Sequence, residues 1–584
     1  MKSVFGISQL FIINFKGGKA MFKKHVVKLF LLSLILSSFI ITAACGTGTA
    51  QPDIQESTTA AGELARQAMN PAGILPIVTE PVTLSVFSGA RPGIDFETNL
   101  AALEFERLTG VNINWMQVPD ADRVTRQNLM LATGDYPEIL MVWGDVGSHA
   151  MIYHHAQMGM FRPITYYIER YAPNLQRLFE AHPYVRDDMI MPDGHIYGFP
   201  AIDDCFHCSM NQKMWIYRPW LDALDLDMPT TTDELLYVLR AFRDRDPNGN
   251  GIQDIIPMLG ATGHIRSEVD IILTSFITSD GANRLQVRDG NIIPIFDTPE
   301  WRDGLRFLNQ LYREGLLSSY TFVLDRGAQR PIGDNPDHNR VGVKLAFWIG
   351  ATVTVDHEDQ DGRWTGWELI PPLMGPNGHQ EALFVPLRGN HRAVITDALP
   401  EEMMPIAVRW LDNFLDPEVA LTMTLGIEGK NWRRAEPGEV GIDGGPASWA
   451  MIRGEDTPEN AAMGQLVNWR PHDLRMGEVA NRDIIEIETR LYDSTLLQLP
   501  YRQSIDNIVP VLVFDETQTA EIVDFQTNIN QFVFESIARF TVGDLDIEND
   551  WDWYLRELEL MGLSRYIEIM QQAFDARAEV LANR

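Results

Sequence analysis

The 584 residues are 45% hydrophobic and 22% charged, which excludes a disordered chain and gives length enough for two or more lobes with cores of their own. With 80 acidic against 48 basic residues the formal charge is -32, a balance that argues against nucleic acid and other anionic polymers as partners, because phosphate binding needs clustered Lys and Arg. Three cysteines are too few for a disulfide framework, so stability has to come from packing.

The chain opens with an export signal. From Met21, an alternative start, the sequence reads MFKKHVVKLFLLSLILSSFIITAAC: Lys23, Lys24 and Lys28 precede an apolar run that ends in small residues before Cys45. Ser33, Ser37, Ser38 and Thr42 interrupt the run and a polar stretch comes after it, which disfavours a retained membrane span. The segment resembles a bacterial lipoprotein signal, in which the cysteine thiol is acylated and becomes the new N-terminus. Thr42 stands where such signals usually carry an aliphatic residue. Residues 1 to 44 are thus expected to be removed. They hold six lysines and no acid, so the mature charge becomes -38. Residues 45 to 78 are expected to form a flexible, lipid-anchored tether.

From residue 79 onward the pattern alternates strand and helix. VTLSVFSG (82 to 89) is β-rich. NLAALEFERLTG (99 to 110) has Leu100, Leu103 and Leu108 at helical spacing and stops at Gly110. VNINWMQV (111 to 118) alternates Val111, Ile113 and Trp115, and EILMVWG (138 to 144) reads as a strand buried on both faces. This alternation predicts an α/β fold, a mainly parallel sheet with helices on both faces, and places ligands beyond the carboxyl ends of the strands. Those ends are residues 88 to 91 and 143 to 145. Further on, helices are predicted at 229 to 246, where Thr231 and Glu234 form a capping box, at 298 to 315 and at 400 to 420, with a strand at 341 to 350.

Four features bear on chemistry. In DPNGNGIQD, Asp246, Asn248, Asn250 and Asp254 place side-chain oxygens at positions 1, 3, 5 and 9 of an EF-hand-like loop. Gly251 stands at the sixth position and Ile252 offers its carbonyl at the seventh. This spacing suits a structural calcium ion, although Pro257 occupies the place of the bidentate Glu; the alternative is a plain turn. Second, fourteen tryptophans are present, and Trp143, Trp348 and Trp432 adjoin glycine or polar residues, where a ring can present a flat face to sugar C–H groups. Trp215, Trp220, Trp364 and Trp367 suit core packing as well. Third, Cys205 and Cys208 in DDCFHC suit a tight local disulfide or two free thiols better than zinc, because no further ligand comes after His207 at useful spacing. Fourth, there is no G-x-S-x-G elbow, H-E-x-x-H or Walker loop.

With these stretches in view, the sequence resembles the family 1 extracellular solute-binding proteins, in particular the large lipoproteins serving oligosaccharide ABC importers in Gram-positive bacteria. The resemblance spans nearly all of residues 80 to 580. It rests on LATGDYPEIL (131 to 140), DGHIYGFP (193 to 200), PWLDALDLDMPTTTDEL (219 to 235), DPNGNG (246 to 251), GIEGKNW (426 to 432) and WDWYLRELELMGLSRYIEI (551 to 569). It implies a two-lobed periplasmic-binding-protein-like fold of type II with the ligand in the cleft. The expected lobes are 79 to 200 plus 340 to 400, and 205 to 335 plus 405 to 584. In alginate-binding relatives the Asn-Gly loop binds calcium, which implies the same ligand set here; Ile255 replaces a common Glu, and Pro219 a common Asp.

The sequence therefore reads as a monomeric, non-catalytic protein on the outer face of a cell membrane that captures an oligosaccharide and hands it to the transmembrane subunits of an ABC permease. Trp143, Trp348 and Trp432 are expected as stacking platforms, Arg91 and Glu428 as hydroxyl partners, and Tyr197 near the crossover between lobes. The acidic surface favours a neutral sugar unless a local basic pocket overturns it. Two alternatives are an extracellular glycoside hydrolase, which needs opposed carboxylates, and a sugar-sensing ectodomain that partners a receptor.

Overall fold

The computed structural model describes residues 69–263, 266, 267, 269–281, 283–324, 326–452, 460–464 and 466–582. Cys45, the expected signal and the tether up to residue 68 lie outside the described residues. Two sheets organise the described chain. Their strands are β1 (Val82–Ala90), β2 (Val111–Pro119), β3 (Ile139–Met141), β4 (Gly198–Phe199), β5 (Met214–Tyr217), β6 (Ile256–Leu259), β7 (Val341–Leu345), β8 (Trp367–Leu369) and β9 (Ala393–Ile395).

The first sheet has the order β2-β1-β3-β9-β4. β1 pairs in parallel with β2 and β3, while β9 runs antiparallel to both β3 and β4. The second sheet has the order β8-β5-β7-β6, with β5 antiparallel to its neighbours β7 and β8, and β7 parallel to β6. Each sheet therefore has all its strands pointing one way save a single reversed strand inside, close to the mainly parallel sheets that the sequence alternation predicts.

Local signals set the elements. Asn99 caps helix α1 (Leu100–Thr109) by accepting from the Ala102 amide, and Gly110 ends it in the left-handed region at φ 74°, where a side chain would be strained. The Thr231–Glu234 capping box opens helix α2 (Thr232–Asp244). Leu235, Leu239 and Phe242 on its inner face are fully buried. Helix α3 (Pro299–Arg313) starts at a Thr298 cap. The helix expected over 400 to 420 is instead α4 (Met404–Asn413) followed by α5 (Pro417–Leu425), because Pro417 cannot donate into a continuing helix and Asp416 caps a new one.

Packing redraws the expected lobes. The strand expected over 341 to 350 ends at Leu345, and β7 and β8 both belong to the second sheet, so only β9 of the segment 340 to 400 joins the first. Conversely, α4 packs on the first sheet's core, where Trp410 and Phe414 lie 5.8 and 4.3 Å from Phe105. Burying such aromatic area contributes about 2 to 3 kcal/mol per side chain, which outweighs chain proximity in deciding the lobe. Residues after 515 do join the second core. Helices α6 (Glu516–Val542), α7 (Trp551–Leu560) and α8 (Leu563–Ala582) supply Ile529, Val533, Tyr554 and Tyr566 to it, although Val580 and Leu581 at the end of α8 touch the first core.

Candidate functional site

The chain passes from β4 to β5 through residues 200 to 213, and returns from β8 to β9 through residues 370 to 392. Because β4 points the same way as β3 and β1, the first passage leaves from the carboxyl edge of the first sheet, and the second arrives there. Asn390 fastens the two side by side: its Oδ1 accepts from the Ala201 amide at 2.9 Å and its Nδ2 donates to the Ala201 carbonyl at 2.8 Å.

A cavity of about 460 Å³ opens between these passages. Its size and position are those of a small-molecule site. Tyr184 and Phe384 supply aromatic walls, and Asp203, Asp204, Arg388, Asn390, Arg392, Asn468 and Arg502 supply polar groups. Cys205 and Cys208, joined by a disulfide with Cα atoms 5.2 Å apart, form part of the rim, which decides between the alternatives left open by the sequence.

The charges differ in how far they are committed. Both Asp203 oxygens accept from Arg475 at 3.0 Å, and Arg470 stands 3.6 Å away. Asp204 lies 3.4 Å from His182. Arg388 donates to the Val509 carbonyl at 2.7 Å and stands 3.7 Å from Asp188, a carboxylate that already accepts from Arg577 at 3.0 Å. Burial pushes the Asp188 carboxyl up, and the two guanidiniums oppose that. Arg392 is 3.8 Å from Asp145, and its buried Nε has no hydrogen-bond partner. Arg502 is exposed, with its guanidinium 4.7 Å from the Phe384 ring centroid. Burial raises the Tyr184 phenol, on which Asp204, Asp188, Arg388 and Arg502 all act.

None of the six expected ligand residues lines this cavity. Arg91 and Trp143 do sit at the same sheet edge, but they face one another, guanidinium carbon 4.0 Å from the ring centroid, and Trp143 packs near Gly464. Trp348 packs its ring over Gly350 at the end of β7; its neighbour Phe347 is the more exposed aromatic. Trp432 is 2% exposed and donates from Nε1 to the Gly426 carbonyl, so it has no free face and is a core residue. Tyr197 is likewise buried, donating to Asp193 at 2.7 Å. Glu428 is exposed and 3.3 Å from Arg434. Tyr184, Phe384 and the arginines line the cavity without having been singled out by the sequence. Their one sequence signal is density: LRGNHR (387 to 392) puts two arginines, an Asn and a His between strands.

The loop at 246 to 254 winds as its spacing suggests. Asp246 accepts from the Gly251 amide at 2.9 Å, Asn248 from Asn250 at 3.3 Å and Asn250 from Ile252 at 2.7 Å. Asp254 receives His338 at 2.8 Å and Arg340 at 3.1 Å on Oδ2, while its Oδ1 is buried with no protein partner. The orphaned Asp254 oxygen, on a loop whose other side-chain oxygens fall at EF-hand spacing, fits a hard cation.

No family model matches the chain. It is 25% identical over 567 residues to the fructooligosaccharide ABC transporter substrate-binding protein FusA of Streptococcus pneumoniae, covering 93% of this chain and 97% of that one. It is 26% identical over 344 residues to lipoprotein LipO of Bacillus subtilis, covering 58% of this chain and 64% of LipO. The solved structure of FusA with kestose superposes with a TM-score of 0.65 at 24% identity, over 86% of this chain and 100% of FusA. A FusA EF-hand mutant has also been solved with fructo-nystose, and superposes with a TM-score of 0.64. A solute-binding protein associated with a human-milk-oligosaccharide ABC transporter in Bifidobacterium longum infantis gives 0.70 at 19% identity, over 85% of this chain and 99% of the other. In fold and along most of its length the chain is thus similar to extracellular solute-binding proteins. FusA, the relative it matches over nearly the whole of both chains, is the substrate-binding protein of a fructooligosaccharide ABC transporter.

Proposed function

We propose that this chain captures an extracellular oligosaccharide in the 460 Å³ cavity and presents it to an ABC permease. The observation that carries this reading is the site's position, between two chain passages that join two separately packed sheets. Each sheet organises one lobe, and the passages act as the hinge. Sugar bound to both lobes favours the closed form because it binds that form more tightly. The permease then recognises the closed form.

Binding without conversion is supported by the carboxylates. Among the described residues lining the cavity, the two acids are sequence neighbours, and Asp203 is held by Arg475. A hydrolase needs a pair facing each other across the substrate. Calcium would be held by Asp246, Asn248, Asn250, the Ile252 carbonyl and Asp254, and would fix the loop between α2 and β6. A lipid on Cys45 would keep captured ligand near the permease; no helix of the described residues is long and apolar enough to cross a membrane.

A thermal-shift screen of the mature protein against neutral and acidic oligosaccharides, with peptides as controls, tests the reading. A ligand of the native state raises the melting temperature. Stabilisation by peptides and by no sugar would refute the assignment.

A further inference from the structure

The mature chain carries a formal charge of -38, yet its cleft concentrates arginine. Net charge describes the whole surface, whereas recognition is decided by the groups a ligand touches. Arg388, Arg392 and Arg502 line the cavity. Against them stand Asp203, already bound through both oxygens to Arg475, and Asp204 beside His182. Arg388 shares Asp188, its one carboxylate partner among the described residues, with Arg577. Arg392 reaches Asp145 only at 3.8 Å and leaves Nε without a partner. Arg502 makes no ion pair among the described residues and rests on Phe384, which holds its planar guanidinium toward the cavity without neutralising it.

A neutral sugar does not need this. Its hydroxyls are served by amides and carboxylates, and of the cavity's polar groups Asp204 suits that role. Guanidinium groups left short of carboxylate match instead a planar anion that accepts two parallel N–H bonds. Resting on the capture reading above, we propose that the oligosaccharide taken by this cleft carries carboxylates, as in a uronic-acid-containing chain, with Arg502 as the principal anchor and Arg388 and Arg392 beside it. This proposal stands against the expectation of a neutral sugar drawn from the acidic surface.

The test is calorimetric titration of the mature protein with short oligogalacturonates, oligoglucuronates and oligomannuronates, with their methyl esters, which keep size and shape but remove charge, and with neutral oligosaccharides. Binding of a uronate, weakened about tenfold or more by esterification and by Arg502→Gln, and less by Arg502→Lys, supports the proposal. Arg502 is exposed, so neither substitution threatens folding. Equal binding of acid and ester, indifference to Arg502→Gln, or binding of neutral sugars alone overturns it and leaves the capture reading standing. Failure of every saccharide, acidic or neutral, overturns the capture reading itself.

Discussion

Lys344 carries a burial cost that can be measured. It lies in β7 at 1% exposure, its Nζ donates to the Thr352 carbonyl at 3.1 Å, and the ammonium stands 4.0 Å from the Trp367 ring centroid. No described carboxylate forms an ion pair with it. Burial drives its pKa from 10.5 down to about 7, against a weaker opposing pull from the Asp334 charge. Above about pH 7 the folded chain releases this proton, whereas the unfolded chain keeps it until about pH 10.4. The unfolded state therefore binds more protons across that window, and stability must rise with pH there; the full cost is present below it. From pH 7 to pH 9 the gain amounts to about 2 kcal/mol from this lysine. Lys213 behaves alike, its pKa lowered to about 7 by burial, with the His207 and Met210 carbonyls as its partners among the described residues. Lys344→Met keeps the stem and removes the charge. After the lost hydrogen bond and ring contact, of about 1 kcal/mol each, it should stabilise the fold at pH 7 by about 1 to 3 kcal/mol and flatten the pH dependence by roughly half. Urea denaturation of both proteins at pH 7 and pH 9 reads this out. A wild-type midpoint that does not rise, or a Met variant that unfolds earlier at both pH values, would refute the reasoning.

Other consequences concern the site and the loop. Chelator should lower the melting temperature and calcium restore it, by about 3 kcal/mol of stability at a hundredfold excess over Kd, and Asp246→Ala should abolish the response. Indifference to both would leave the loop a turn. Trp432→Phe should destabilise the protein by about 1 to 3 kcal/mol in denaturation while leaving saccharide affinity within twofold, because the ring is buried and hydrogen bonded; a large affinity loss with normal stability would restore it to the binding site. Intact-mass analysis of the mature N-terminus should find diacylglycerol on Cys45, and an unmodified Cys45 or cleavage elsewhere would refute the anchor.

The sequence displayed local structure far better than the site. Gly110 and Thr231 with Glu234 act on their own neighbours, so capping rules located the end of α1 and the start of α2 closely. Alternation likewise located β1 and β2. The lobes depend on pairings over hundreds of residues: whether β7 joins one sheet or the other is decided by β5 and β6, and α4 is claimed by Phe105 some three hundred residues earlier. The lining of the cavity was hidden for a related reason. A tryptophan beside a glycine looks exposed in one dimension, but Trp432 turns inward to the Gly426 carbonyl. The arginines of 388 to 392 and Arg502 converge only through the fold, and a chain this acidic gives no compositional hint of them. The oxygen ring at 246 to 254, being local, was legible.

The central claim is capture by closure, and solution scattering on the mature protein with and without a stabilising saccharide tests it most directly. Closure predicts a smaller radius of gyration with ligand, and capture predicts that the saccharide is recovered intact from the same sample. An unchanged radius at saturation, or a cleaved sugar, would contradict the claim.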